Sequence, residues 1–364
     1  MCRQSASVCL VKSPTRRQRD VVDLAERLRT LPDPRLSRGV RRPFVSVLLV
    51  ACSAAVAGAC SFAALGQWAA SAPQDTLARL GARVTTVFGV RVAPSGATVR
   101  RLIIRVCPRG LADLPGRDPT GANSLAVDGK TARGSRTSDS PAAHLLAAIT
   151  DAGQTVTQLR VPGKMNENTC FAALLAPYEL KGITVTADAL HTQRDHARHL
   201  VEDRGAHYAF TMKLNQPTLY AQLKALPWDR VKAKHYDRSS GHGRLETRVV
   251  QVLTVIDLGL SFPHAAQVAR IVRHRTDRKT GRRGRETVYV LTDLTSRQAS
   301  PQRIAEIIRA QWVIENRLHF VRDTTFGSFA INHLRDAGHT NIAAALRAMS
   351  YEPFVRPLDL LKIG

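Results

Sequence analysis

Between residues 124 and 212 the apolar positions fall into a fixed order of short elements. That order limits the fold more than any other feature of the chain. Residues 124–127, 144–150 and 155–161 read as strands, the last two joined by Asp151, Ala152 and Gly153, a turn that favours a hairpin. Residues 169–180 then follow helical spacing, 182–187 a strand, 193–203 a helix and 207–212 a strand. Three strands able to pair antiparallel, followed by helix-linked strands, predict a mixed α/β sheet.

This is the strand order of a ribonuclease-H-like fold, and two of its strands run into carboxylates. Ile183, Val185 and Ala187 share one face, while Thr184, Thr186 and Asp188 share the other. Asp128 follows Leu125 and Val127 and is expected to end its strand. Carboxyl ends of adjacent strands are where open α/β sheets hold ligands. A third acid lies in a helix predicted over 301–323. There Ile304, Ile307, Ile308, Gln311, Trp312 and Leu318 form an apolar-faced stripe with Glu315 in its middle. A carboxylate on that face is costly unless it is paired or metal-bound. Two readings follow. Each acid sits in a buried ion pair, with Arg322 the helical neighbour of Glu315, or the three converge on one metal site. Because all three lie on elements that meet at one sheet, the metal site is preferred. Oxygen-only ligands select Mg²⁺ or Mn²⁺, and two such ions can clamp the attacking and leaving oxygens of a phosphodiester.

Charge points the same way. The chain carries 53 Lys and Arg against 29 Asp and Glu, a formal net charge of +24, which calls for a polyanionic partner, nucleic acid first. The basic residues cluster. The window 270–285 holds Arg273, Arg275, Arg278, Lys279, Arg282 and Arg283 with a single acid, Asp277. A helix predicted after Ser95 buries Val99, Leu102, Ile103 and Val106 and leaves Arg100, Arg101 and Arg105 off its stripe. That helix is either a helix-turn-helix reader or a solvated basic face. Lys130 and Arg133, just past Asp128, either touch phosphate or face solvent. His191 and Gln193 either orient a scissile phosphate or cap the next helix. Asn215 and Gln216 read a base or cap a turn, and His319 lies near the face of Glu315.

The six cysteines form no Cys-x-x-Cys pair and no zinc spacing, which fits a reducing, cytoplasmic setting. Residues 44–65 are uncharged and long enough to span a bilayer, yet rich in Ala, Ser, Gly and Cys. They are expected to be a buried helix, or two helices broken near Gly58, rather than a membrane span.

Beside these readings, the chain resembles DDE-type insertion-sequence transposases of the H-repeat-associated group. The resemblance rests on DGKTARGS from Asp128, VTADALHTQ around Asp188, KLNQP from Lys213 and WVIENRLH from Trp312, with DPR from Asp33 and RGVR from Arg38 near the start. It implies that Asp128, Asp188 and Glu315 are the catalytic, metal-binding triad, and that DNA, both element ends and target, is the substrate. It also implies a homodimer on DNA and no small-molecule cofactor. The organisation expected is a basic leader (1–20), a small all-α domain (21–107) and a linker (108–122). A ribonuclease-H-like domain (123–213 and 301–349) follows, interrupted by a β-rich basic insertion (214–300), and a tail (350–364) closes the chain. The pattern departs from the family after Phe326, where Gly327 and Ser328 replace an acidic pair, and again from Ser350 onward. A folded DNA-binding relic and a nuclease without strand transfer therefore stand as the alternatives.

Overall fold

The computed structural model describes residues 23–36, 40–85, 88–106, 118–132, 143–161, 167–241, 243–255, 259–314 and 327–364. Among the described residues five helices come first: α1 (Leu24–Arg29), α2 (Phe44–Val56), α3 (Phe62–Ser71), α4 (Gln74–Arg79) and α5 (Gly96–Arg105). The uncharged stretch is two helices, as its composition predicts. Gly58 adopts φ +96°, with Gly58 N donating to Ala55 O and Ala59 N to Ala54 O, the paired bonds of a glycine-terminated helix. Ser61 then caps α3 through Ala64 N. No helix among the described residues is long and apolar enough to cross a membrane. Helices α3 and α5 approach so closely that a Cβ on Gly66 would lie 2.8 Å from Gly96 Cα.

A nine-stranded sheet follows, in the order β3-β2-β1-β4-β5-β9-β8-β7-β6. Its first half is β1 (Ser124–Ala132), β2 (Ala143–Thr150), β3 (Thr155–Val161), β4 (Thr184–Ala187) and β5 (His207–Met212). The first three pair antiparallel, while β4 runs parallel to β1 and β5 parallel to β4. The insertion does not form a separate body. Its strands β6 (Lys234–Gly241), β7 (Arg244–Thr254), β8 (Gln267–Asp277) and β9 (Arg283–Thr292) extend the same sheet, with β9 antiparallel to β5. The basic window 270–285 is therefore a hairpin, two long strands with a tip at Arg278, Lys279 and Thr280.

Helix α6 (Glu167–Leu175) and the short α7 (Arg194–Arg198) cover one face through Phe171, Leu174, Leu175 and Ala197, against Leu125, Val127, Val185 and Phe210. Helix α8 (Pro217–Ala225) adds Leu219 and Leu223 to this core. On the other face α9 (Pro301–Ile314) lays Ile304, Ile307 and Ile308 on Ala209, Ala269 and Val290. Each buried isoleucine contributes about 1.5–3 kcal/mol. Helices α10 (Gly327–Asp336), α11 (Ile342–Tyr351) and α12 (Arg356–Leu360) join the amino-terminal helices in one core that reaches Ala126, Ala147 and Ile149 of the sheet.

Residues 350–364, expected as a tail, are thus part of the core. Trp68 Nε1 donates to Pro353 O at 3.0 Å and its ring lies 5.2 Å from Phe354, while Arg79 binds Asp359 and the Ile363 carbonyl. Pro353 lies in the turn between α11 and α12, and Pro357 is a first-turn residue of α12.

Candidate active site

Strands β1 and β4 pair in parallel as far as Val127 opposite Ala187, and β4 ends there. The next residue on each strand is an aspartate. Asp188 remains extended (φ −73°, ψ 179°) and its carboxylate accepts from Leu190 N at 2.9 Å, turning the chain into a 3-10 turn, Ala189–His191. Strand β1 does not end at Asp128, contrary to the sequence expectation. It continues beside β2 to Ala132, with Asp128 opposite Ala147. Asp128 alternates onto the face of Ala126, and the pairing of Val127 with Ala187 puts Asp128 and Asp188 at the same level of neighbouring strands. Both are half-buried, and Asp128 also accepts from Gly129 N at 2.9 Å.

That face is the one α9 covers. Gln311, buried near the end of α9, spans the seam between the two strands. Thr186 Oγ1 donates to its Oε1 at 2.5 Å, and its Nε2 donates to Val127 O at 3.2 Å. Glu315, four residues further along the sequence, lies outside the described residues, as do Arg133, His319 and Arg322.

The opposite face carries a cluster that the sequence does not advertise. The Glu167 carboxylate, at the start of α6, binds His144 Nε2 of β2 and, at 3.1 Å, His191 Nε2 from the turn after Asp188. It lies directly under Gly129, where any Cβ would collide with it. Burial raises the Glu167 pKa, but the hydrogen bonds from His191 and His144 outweigh it and hold the carboxyl below its ordinary value. His191 is fully buried, so its side chain braces the turn from below. His196 stacks on Phe171 at 4.2 Å and bonds the His191 carbonyl, and burial lowers its pKa.

Gln193 ties off the same turn through Leu190 O at 3.0 Å. Asn215 donates to Ala189 O at 2.6 Å, and Gln216 Nε2 to Thr192 O. The two motifs around Asp188 and Lys213 are therefore one structure, a turn and its brace. A first-turn glutamate is ordinary in sequence. Only the spatial meeting of Glu167 with Gly129, His144 and His191 singles it out.

Residues 119–352 match the family described as Transposase DDE domain, and residues 25–115 the one described as DDE_Tnp_1-associated. The chain belongs to the transposase DDE domain family. A putative transposase, YncI, of Escherichia coli O157:H7 is 28% identical over 245 residues, covering 64% of this chain and 61% of that one. The H repeat-associated putative transposase YbfD of Escherichia coli K12 is 25% identical over 253 residues, covering 66% and 97%. A Xanthobacter autotrophicus protein described only by its place in the dhlA 3′ region is 35% identical over 145 residues, 37% of this chain and 48% of that one. The matches thus span about half to three-fifths of the first relatives' own length. A solved piggyBac transposase synaptic complex with hairpin DNA superposes with a TM-score of 0.41 at 10% identity, covering 96% of this chain and 83% of that one, too low to bear on the fold.

Within this DDE-domain chain the basic residues divide by environment. Arg273 is buried between Glu246 (2.8 Å) and Glu286 (3.3 Å), and Arg275 reaches the same two carboxylates, so the pair cross-links β7, β8 and β9. Arg278, Lys279, Arg282 and Arg283 are exposed at the hairpin tip, whose turn Asp277 caps through Lys279 N and Thr280 N. Lys130 is half-buried on β1, and Arg100 and Arg101 are exposed on α5. Helices α4 and α5 are separated by a long loop with a Val84–Arg91 bridge, so they do not form a tight helix-turn-helix.

Two adjacent carboxylates are a donor set suited to a hard divalent cation. Among the described residues no group of three His, Cys, Asp or Glu side chains is placed to hold a metal ion.

Proposed function

We propose that the chain is a DNA transposase that cleaves phosphodiesters at the ends of a mobile element and transfers the freed 3′ ends to target DNA. Asp128, Asp188 and Glu315 are its acid triad. The observation that carries this reading is the parallel register that sets Asp128 beside Asp188, with Gln311 of α9 on the seam between their strands. Glu315 stands four residues beyond Gln311 in the sequence, the spacing of the apolar stripe read from the sequence alone. The order β3-β2-β1-β4-β5, with the first three antiparallel and the next two parallel, supports a ribonuclease-H-like catalytic core.

Bound Mg²⁺ or Mn²⁺, two ions in this reading, would supply Lewis-acid stabilisation of the scissile phosphate and a more acidic attacking oxygen. The chain's own part is to hold the donors. Asp188 is fixed at the mouth of a turn pinned by Asn215, Gln216 and Gln193. Asp128 is fixed in a strand that pairs with β2 and rests on Glu167. The exposed arginines and lysine of the β8–β9 tip bind backbone phosphate, and paired ends call for a homodimer on DNA.

The test is cleavage of duplex DNA built from the inverted repeats that flank the gene. Wild type nicks the repeat ends with Mg²⁺, while Asp128→Asn retards the same DNA without cutting it. Normal nicking by that variant refutes the assignment. Retardation without nicking by wild type favours the DNA-binding relic, and nicking without joined products favours a simple nuclease.

A further inference from the structure

The amino-terminal helices enclose a groove of about 810 Å³ whose walls carry six arginines: Arg35, Arg41, Arg42, Arg83, Arg101 and Arg105. They come from three separate segments, the loop before α2, the loop after α4, and α5. On α5, residues 98, 101 and 105 share one face at 100° per residue. The side away from them buries Val99 and Ile103, which fixes the face presented, and Leu102 is a buried residue of the groove wall. The close contact of Gly66 with Gly96 and the Ser95 cap set the start of α5, and so the height at which Arg101 and Arg105 stand.

Gathering these cations is electrostatically unfavourable in the free protein. Burial, and then repulsion from Arg83, hold the Arg42 pKa below its ordinary value. Arg35 is paired with Asp33 at 2.7 Å. Among the described residues the other five have no carboxylate within ion-pair distance. Arg35 donates to Arg42 O at 2.9 Å, Arg42 to Val92 O, Arg83 to Arg41 O at 3.1 Å and Arg101 Nε to Ala97 O at 3.3 Å, so four guanidinium groups bond neutral backbone carbonyls, which do not offset their charge. Arg101 and Arg105 are one helical turn apart, a rise of about 6 Å. That is close to two axial phosphate steps of one strand of duplex DNA, at about 3.4 Å each. Planar guanidinium groups suit phosphate oxygens.

We infer that this groove is a second DNA site, a track for duplex phosphates built by the amino-terminal helices and separate from the acid pair. The inference rests on the proposal that the substrate is DNA. It adds a surface that holds the duplex without taking part in cleavage.

The test uses the full chain and a fluorescein-labelled duplex of generic sequence, with affinity measured by anisotropy without divalent metal. Three arginines are exchanged together, as R41Q/R101Q/R105Q, because among the described residues none of them bonds the backbone of another segment; Arg101 bonds only Ala97 O of its own helix. With a slope of about −0.9 per phosphate contact, the log–log salt dependence should become shallower by about 2.7. Between about 50 and 200 mM salt, wild type should therefore lose about 40-fold more affinity than the variant. The matching R41K/R101K/R105K variant, which keeps the charges, should retain the wild-type slope. A wild-type slope in the glutamine variant overturns the proposal. So does an equal loss in both variants together with a lowered melting temperature, which would mark the arginines as scaffold. Cleavage by Asp128→Asn reports on the acid pair independently, so a failed groove and a failed active site give different results.

Discussion

The carboxylate of Glu167 stands where a side chain on residue 129 would begin. The two residues lie on facing elements, α6 and β1, and Glu167 is pinned from both sides by His144 and His191. Gly129→Ala must therefore push the carboxylate off at least one histidine. We expect a loss of about 1–3 kcal/mol in chemical denaturation, the usual cost of overpacking. Cleavage should fall with it, because the displaced strand carries Asp128.

Glu167→Gln keeps the shape but cannot accept from both imidazoles, and should cost about 1–3 kcal/mol. Its pH dependence has a defined sign. The folded carboxyl titrates below its ordinary value of 4.5, so its contribution is fully present above that value and disappears as pH falls through the lower folded value. Denaturation curves of wild type and variant should converge in acid and stay apart at neutral pH. A gap that widens on acidification would contradict this.

His207 behaves oppositely. Its Nδ1 lies 2.7 Å from Asp293 Oδ2, and the hydrogen bond to Asp293 raises its pKa above the ordinary 6.5. The stabilisation is complete below 6.5 and is lost as pH rises through the higher folded value. The stability difference between wild type and His207→Gln should be largest in mild acid and shrink toward alkaline pH. A difference that grows with pH would exclude a charged His207–Asp293 pair.

Gln311→Leu should cost about 1–3 kcal/mol by leaving the Thr186 hydroxyl without its partner in the core and removing a bond to the Val127 carbonyl. Adding Thr186→Val removes the orphaned hydroxyl, so the double variant should be less destabilised than the two single losses summed. Strict additivity, measured by a double-mutant cycle, would show that the bridge carries no coupling.

Much of this was legible from residues alone, and the gaps have physical causes. Period-two alternation places Asp188 just past the end of β4, and the bounds of β3 and β5 follow from their apolar runs. Gly58 marks the helix break. Strand β8 was hidden because Arg273, on its buried side, is neutralised by Glu246 and Glu286 from neighbouring strands. No single segment shows that compensation. The role of Glu167 was hidden for the same reason, since its partners lie 23 and 24 residues away. The closing segment was read as a tail because nothing within it shows that Trp68, far away in the sequence, bonds the Pro353 carbonyl and packs on Phe354.

In the proposed reading Asp128 and Asp188 hold one divalent cation between them. Titration calorimetry with Mn²⁺ and no DNA tests it without relying on turnover. Wild type should bind, and Asp128→Asn and Asp188→Asn should each weaken binding by more than about 100-fold, beyond the roughly 10–100-fold loss seen for residues that only orient a ligand. Wild-type Mn²⁺ affinity in either folded variant would contradict the account.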